Sequence, residues 1–133
     1  MTYFLDTNIC IYYLNNSHPI LSSKLKGIPS ASIKIPSMVA AELLYGAEKS
    51  VKREHTLQLI KTFLSIFKII DFDEKAARHY AVLRAELERK GQTIGSNDLV
   101  IAATAIAHKG ILVTHNTREF SRITELTTED WME

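Results

Sequence analysis

The chain has 133 residues, 46% hydrophobic and 23% charged, the size and composition of one globular domain with a real core and too short for two. Three Pro and five Gly exclude a low-complexity chain, and a formal net charge of +1 neither suggests nor excludes a nucleic-acid partner. The single Cys10 cannot form an internal disulfide, the N-terminus lacks a basic signal region, and no window approaches the roughly 18 apolar residues of a membrane span, so a cytoplasmic protein is expected.

Tyr3-Phe4-Leu5 is a short apolar run that stops at Asp6-Thr7-Asn8, all good helix starters, before the apolar stretch Ile9 to Leu14. Strand, then largely buried helix, is the expectation. Pro19 to Lys26 reads as a second helix with Pro in its first turn and Gly27 at its end. Ile33-Lys34-Ile35 is a strand closed by Pro36-Ser37. The next helix starts at Ser37, and Glu42 is the one charged residue among Met38, Val39, Ala40, Ala41, Leu43, Leu44 and Tyr45. Leu57, Ile60, Phe63 and Leu64 mark a long helix, and Phe67 to Ile70 a third strand. Asp73 caps a long helix with its stripe on Ala76, Ala77, Tyr80, Leu83 and Leu87.

Gly91 to Gly95 is a loop, after which Ser96-Asn97-Asp98 opens a helix that is apolar on nearly every face from Leu99 to Ala107. Such a helix should be packed on both sides. Ile111-Leu112-Val113 is a fourth strand leading to Thr114-His115-Asn116, followed by a short helix near Thr117 to Ile123 and a last strand before Trp131. Alternating strands and helices mean a parallel sheet covered on both faces, and right-handed crossovers make it a three-layer α/β sandwich.

In an open parallel sheet, ligands bind beyond the carboxyl ends of the strands. Asp6 follows the first strand and Asn116 the fourth, on that edge. Helices return antiparallel, so the first turn carrying Asp98 and the second turn carrying Glu42 open on the same rim. Crowded carboxylates raise one another's pKa unless a cation shares the site, and oxygen ligands without thiolates favour Mg²⁺ or Mn²⁺. Phosphoryl transfer is the chemistry such a site serves. Each acid also has a plainer role open to it: Asp6 as a helix cap, Asp98 as a charge at a helix N-terminus, Glu42 facing solvent. Asp71 and Asp73 look like a second cluster, but Asp73 is placed as a cap, and both lie away from Asp6 if the third strand is the sheet edge.

The five His residues show no metal-binding spacing, and His18, His55, His79 and His108 read as surface or locally satisfied. His115 lies beside the rim. Arg84, Arg89 and Lys90 read as a solvated helix face, whereas Arg118 and Arg122 are close enough to the rim to reach the phosphates of a nucleic acid. Tyr12, Tyr13 and Tyr80 sit in apolar helices as core or interface residues rather than base-stacking platforms.

Taken together, Leu5-Asp6-Thr7-Asn8-Ile9, Ala41-Glu42-Leu43 with Tyr45 to Ser50, Ile94 to Leu99 with Ile101-Ala102-Ala103, Thr114 to Phe120, and Thr128-Glu129-Asp130-Trp131 resemble a PIN-domain ribonuclease. More specifically the chain resembles the VapC-type toxins of type II toxin–antitoxin pairs, from end to end in order and spacing. It implies a single PIN domain over residues 1–133, with a five-stranded parallel sheet in the order 3-2-1-4-5. Asp6, Glu42 and Asp98 fall on the family's acidic positions. Asp6 and Asp98 are then the direct Mg²⁺ ligands, for which Mn²⁺ can substitute, and Glu42 binds metal-bound water or aids proton transfer. Asn116 stands where many PIN domains carry a fourth Asp, and Glu119, one helical turn on, is placed to compensate. Thr7 and Thr114 are positioned to orient a carboxylate or water. By the same resemblance the chain is an endoribonuclease, with tRNA as a frequent substrate, that leaves 5′-phosphate and 3′-hydroxyl ends. The resemblance also implies a homodimer and a higher assembly with a VapB-type antitoxin, which binds operator DNA on the toxin's behalf.

Three alternatives stand beside it. A metal-free ribonuclease would use His115 and the RNA 2′-hydroxyl and leave a cyclic phosphate or 3′-phosphate. A phosphatase with Asp6 as nucleophile needs an acid where this chain has Asn8. A degenerate PIN domain would bind RNA or a partner without cutting, and Asn116 is the feature that supports it.

Overall fold

In the computed structural model, which describes residues 1–133, the chain forms five short strands and seven α-helices. They are β1 (Tyr3–Leu5), α1 (Thr7–Leu14), α2 (Pro19–Lys26), β2 (Ile33–Pro36), α3 (Ser37–Glu48), α4 (Arg53–Ser65), β3 (Lys68–Ile70), α5 (Glu74–Arg89), α6 (Ser96–Ala107), β4 (Ile111–Val113), α7 (Thr117–Phe120) and β5 (Thr127–Glu129). The strands make one parallel sheet in the order β3-β2-β1-β4-β5. The chain leaves β1 toward β2 and β3, then crosses back to build β4 and β5 on the other side. Strand order therefore reverses between β1 and β4, where the diverging connections leave a crevice at the strand ends.

That crevice is framed by hydrogen bonds beyond the strands proper. The Asp6 N–H donates to the Val113 carbonyl at 3.1 Å, and the Thr114 N–H to the Glu129 carbonyl at 3.0 Å. A continuous core of 27 buried residues surrounds the sheet, with Phe4, Leu5, Ile35, Leu112 and Val113 fully enclosed. α6 is buried on nearly all sides, through Leu99, Ile101 to Ala105 and Ala107, because it packs against α5, α3 and the sheet at once. A helix held that firmly fixes where its first turn, with Asp98, meets the rim. Trp131 is buried against Tyr3 with rings 5.1 Å apart, which ties the C-terminal turn back to β1.

Asp6 and Asp73 both cap their helices, accepting the Ile9 and Ala76 N–H at 2.9 Å. Asp73 also approaches His108, just past the C-terminal end of α6, at 3.4 Å, so it belongs to the end of that helix opposite Asp98. Its strand, β3, is the sheet edge. The helix expected over Thr117 to Ile123 stops at Phe120. Arg122 and Ile123 donate to carbonyls only three residues back, at 3.2 and 3.0 Å, so the last residues wind as tight turns.

Candidate active site

Asp6 ends β1 and starts α1, and only 5% of it is exposed. One carboxylate oxygen takes the Ile9 N–H, so the capping role and the pocket role fall on the same side chain. Burial pushes its pKa up to about 6, against hydrogen bonds from Thr114 and Ile9 that lower it, and the charges of Asp98 and Glu42 push it further. Asp98, half-buried in the first turn of α6, is also raised, first by burial and then by Glu119 and Glu42. These couplings place Asp6, Glu42, Asp98 and Glu119 in one electrostatic cluster. None of the four forms an ion pair with a Lys, Arg or His.

Three of the four acids are held by a neighbour. The Thr7 hydroxyl donates to Glu42 Oε1 at 2.6 Å, and Asn97 Nδ2 makes a long contact with Oε2 at 3.4 Å. The fully buried Thr114 hydroxyl serves Asp6 and accepts the Asn116 N–H at 3.0 Å. Asn116 Nδ2 donates to Glu119 Oε2 at 2.7 Å. The fourth corner is thus a pair, an amide turned onto a carboxylate, with Glu119 supplying the charge that acts on Asp98.

The basic residues near the rim divide. Arg122 donates to the Thr93 carbonyl at 2.8 Å, so it pins the loop before α6. Arg118 is exposed and outside every ion pair. His115 Nδ1 lies 2.9 Å from Asp130 Oδ2. Two contacts escaped sequence reasoning: Asn97 with Glu42, 55 residues apart, and His115 with Asp130, which depends on β4 and β5 being neighbours. No three His, Cys, Asp or Glu side chains close into a ready-made metal cage.

A three-layer α/β fold with an all-oxygen acidic pocket at its topological switch defines the class. The PIN domain model matches residues 3–126. A Rickettsia felis protein described as ribonuclease VapC2 is 46% identical over 132 residues, covering 98% of each chain. A Shigella flexneri protein described as tRNA(fMet)-specific endonuclease VapC is 40% identical over 131 residues, again covering 98% of each. Among solved structures, VapBC2 from Rickettsia felis bound to a promoter DNA fragment superimposes with a TM-score of 0.92 at 45% identity, covering 98% of this chain and 99% of that one. The chain belongs to the PIN-domain family and, within it, to the VapC ribonucleases.

Proposed function

We propose that this protein, a single PIN domain, is a Mg²⁺-dependent endoribonuclease and the toxin of a VapBC-type pair, with tRNA as its substrate class. The observation that carries the proposal is a buried carboxylate, Asp6, raised to about 6 among acids that have no basic partner. A pocket so short of positive charge fits a divalent cation, and its oxygen-only donors fit Mg²⁺, with Mn²⁺ as substitute. A closed three-ligand cage is not required, because Mg²⁺ usually keeps several waters and takes one or two carboxylates plus substrate phosphate.

Asp6 and Asp98 would hold the ion. When bound, it supplies charge stabilisation at the scissile phosphate and makes a neighbouring water easier to deprotonate. The protein's own work is positioning. Thr7 occupies Glu42 Oε1, and Oε2, with only the long Asn97 contact, is the atom to accept a proton from the attacking water. Water oxygen bonds to phosphorus and the bond to the 3′ oxygen breaks. That oxygen takes a proton from solvent water and Glu42 returns its own to solvent, giving a 5′-phosphate and a 3′-hydroxyl. Thr114 keeps Asp6 facing the pocket, and the Asn116–Glu119 pair completes its charge. Glu119's charge also weakens the degenerate reading, which rested on Asn116 alone.

For the antitoxin, an apolar groove bounded by Ile11, Leu14, Leu43, Leu59 and Ile60 runs up to Glu42. A VapB-type segment with an apolar face followed by an Arg would fill the groove and bring the missing cation to the acids. The VapBC2 structure on promoter DNA supports an antitoxin partner and a larger DNA-bound assembly; a homodimer that reaches operator DNA through the antitoxin is part of the proposal. No helix is long and apolar enough to cross a membrane, and a cytoplasmic site of action is part of the proposal.

The test is cleavage of total tRNA with sequencing of the cut ends. Mg²⁺ should support cleavage, EDTA should abolish it, and Asp6→Asn or Asp98→Asn should remove it by more than about 100-fold, while each variant remains folded. Undiminished cleavage in EDTA, or cyclic phosphate ends, would replace this mechanism with the metal-free one.

A further inference from the structure

We propose that His115, oriented by Asp130, is a substrate-binding residue whose Nε2 contacts the ribose 2′-hydroxyl of a nucleotide flanking the cut. The inference rests on the ribonuclease reading of the acidic pocket. β4 and β5 pair with Val113 opposite Glu129, so Asp130, one residue past β5, comes within reach of His115, two residues past β4. Asp130 is 12% exposed at its side chain, and both of its oxygens are committed, Oδ1 to the Met132 N–H at 3.0 Å and Oδ2 to His115 Nδ1 at 2.9 Å. A carboxylate only accepts hydrogen bonds, so Nδ1 carries the proton and the ring is fixed in place. The imidazole itself is half exposed, and Nε2 is its uncommitted polar atom.

Its neighbours put its backbone at the rim of the acidic pocket. Thr114, before it, serves Asp6, and Asn116, after it, holds Glu119. A part-buried acid anchoring a half-exposed ring between two pocket residues is the arrangement of a preorganised contact. Nε2 accepts a hydrogen bond when the ring is neutral and donates one when it is charged. Of the groups along an RNA strand, the 2′-hydroxyl is both donor and acceptor and matches either state, and it marks RNA against DNA. The plainer role, a clip between β4 and the C-terminal turn, needs only the Nδ1 bond.

Two substitutions separate the roles. His115→Asn places an amide nitrogen near Nδ1, keeps the Asp130 bond and removes Nε2. His115→Gln places one near Nε2 and gives up the anchor. With Mg²⁺ and an oligoribonucleotide spanning the mapped cut, His115→Asn should raise KM roughly tenfold, with kcat and Tm held. His115→Gln should lower Tm but recover part of the KM. Among oligonucleotides with one 2′-deoxy position each, one should weaken wild type by the same factor and leave His115→Asn unchanged. A wild-type KM for His115→Asn, or no deoxy position that is silent in it, would overturn the proposal. Should wild type fail to cut, the ribonuclease reading falls, and the inference is read from tRNA binding alone. His115→Asn must then weaken Kd roughly tenfold, and an equal Kd refutes the contact.

Discussion

Asp6 shows how one side chain can serve the fold and strain it. It caps α1 through the Ile9 N–H, yet its burial beside Asp98 and Glu42 raises its pKa from 3.8 to about 6. Below pH 3.8 the acid is neutral in folded and unfolded chains alike. Between 3.8 and about 6 the unfolded chain ionises first, so stability falls as pH rises, and above 6 the loss is constant. A gap of that size corresponds to about 3 kcal/mol. Asn can cap the helix as Asp does without the charge. In EDTA at pH 7.5, Asp6→Asn should therefore raise Tm by on the order of 10 °C, an advantage that vanishes near pH 4. Mg²⁺ should close the gap from the other side by stabilising wild type alone. Calorimetry at the two pH values checks this, and an Asp6→Asn protein less stable than wild type in EDTA at neutral pH would contradict it.

Elements were legible in the sequence where a local rule sets them. Asp73 marks the start of α5 and Gly27 the end of α2, and Glu42 and Asp98 reach the rim because parallel topology leaves their helices no other direction. The pairing of Asn116 with Glu119 was half visible, as a spacing of one turn without its hydrogen bond. What was hidden depends on register between distant strands: His115 finds Asp130 only because Val113 lies opposite Glu129. The early stop of α7 was hidden too, since Ser121 to Ile123 carry no breaker and tighten through their backbone bonds. The α6–β4 connection carries another such long-range constraint. A Cβ on Gly110 would lie 2.3 Å from two ring carbons of Phe4, which is fully buried and cannot swing aside. Gly110→Ala should destabilise by about 1–3 kcal/mol through overpacking. Gly46, inside α3, has nothing within 4 Å of a Cβ, so Gly46→Ala should stabilise by about 0.5–1 kcal/mol. Denaturant midpoints of the two variants should move in opposite directions, and a neutral Gly110→Ala would mean that Phe4 has room to yield.

At the scale of the whole molecule, a net charge of +1 conceals a local deficit: four carboxylates share one pocket while several basic residues are already engaged. Arg53, Arg78 and Arg84 pair with acids on their own or neighbouring helices, and Arg122 is tied to the Thr93 carbonyl. Arg118 remains at the rim without an acidic partner. An RNA strand therefore meets a surface that repels phosphate at its centre and attracts it weakly at one side. Affinity should then come from a bound divalent ion and hydrogen bonds rather than from a broad basic face. Each phosphate neutralised by a side chain contributes about −0.7 to the slope of log K against log salt for a single strand, so one or two contacts give roughly −0.7 to −1.4. Fluorescence anisotropy of labelled tRNA with the Asp98→Asn protein should show weak binding in EDTA. With wild type in Ca²⁺, a hard cation that takes the same oxygen ligands without the strict geometry of Mg²⁺, binding should recover and show that shallow slope against KCl. Arg118→Ala should flatten it by one contact. A slope of about −4 or steeper would mean that the RNA spreads over basic surface well beyond the rim, and the pocket would then be a cutting point on a larger footprint.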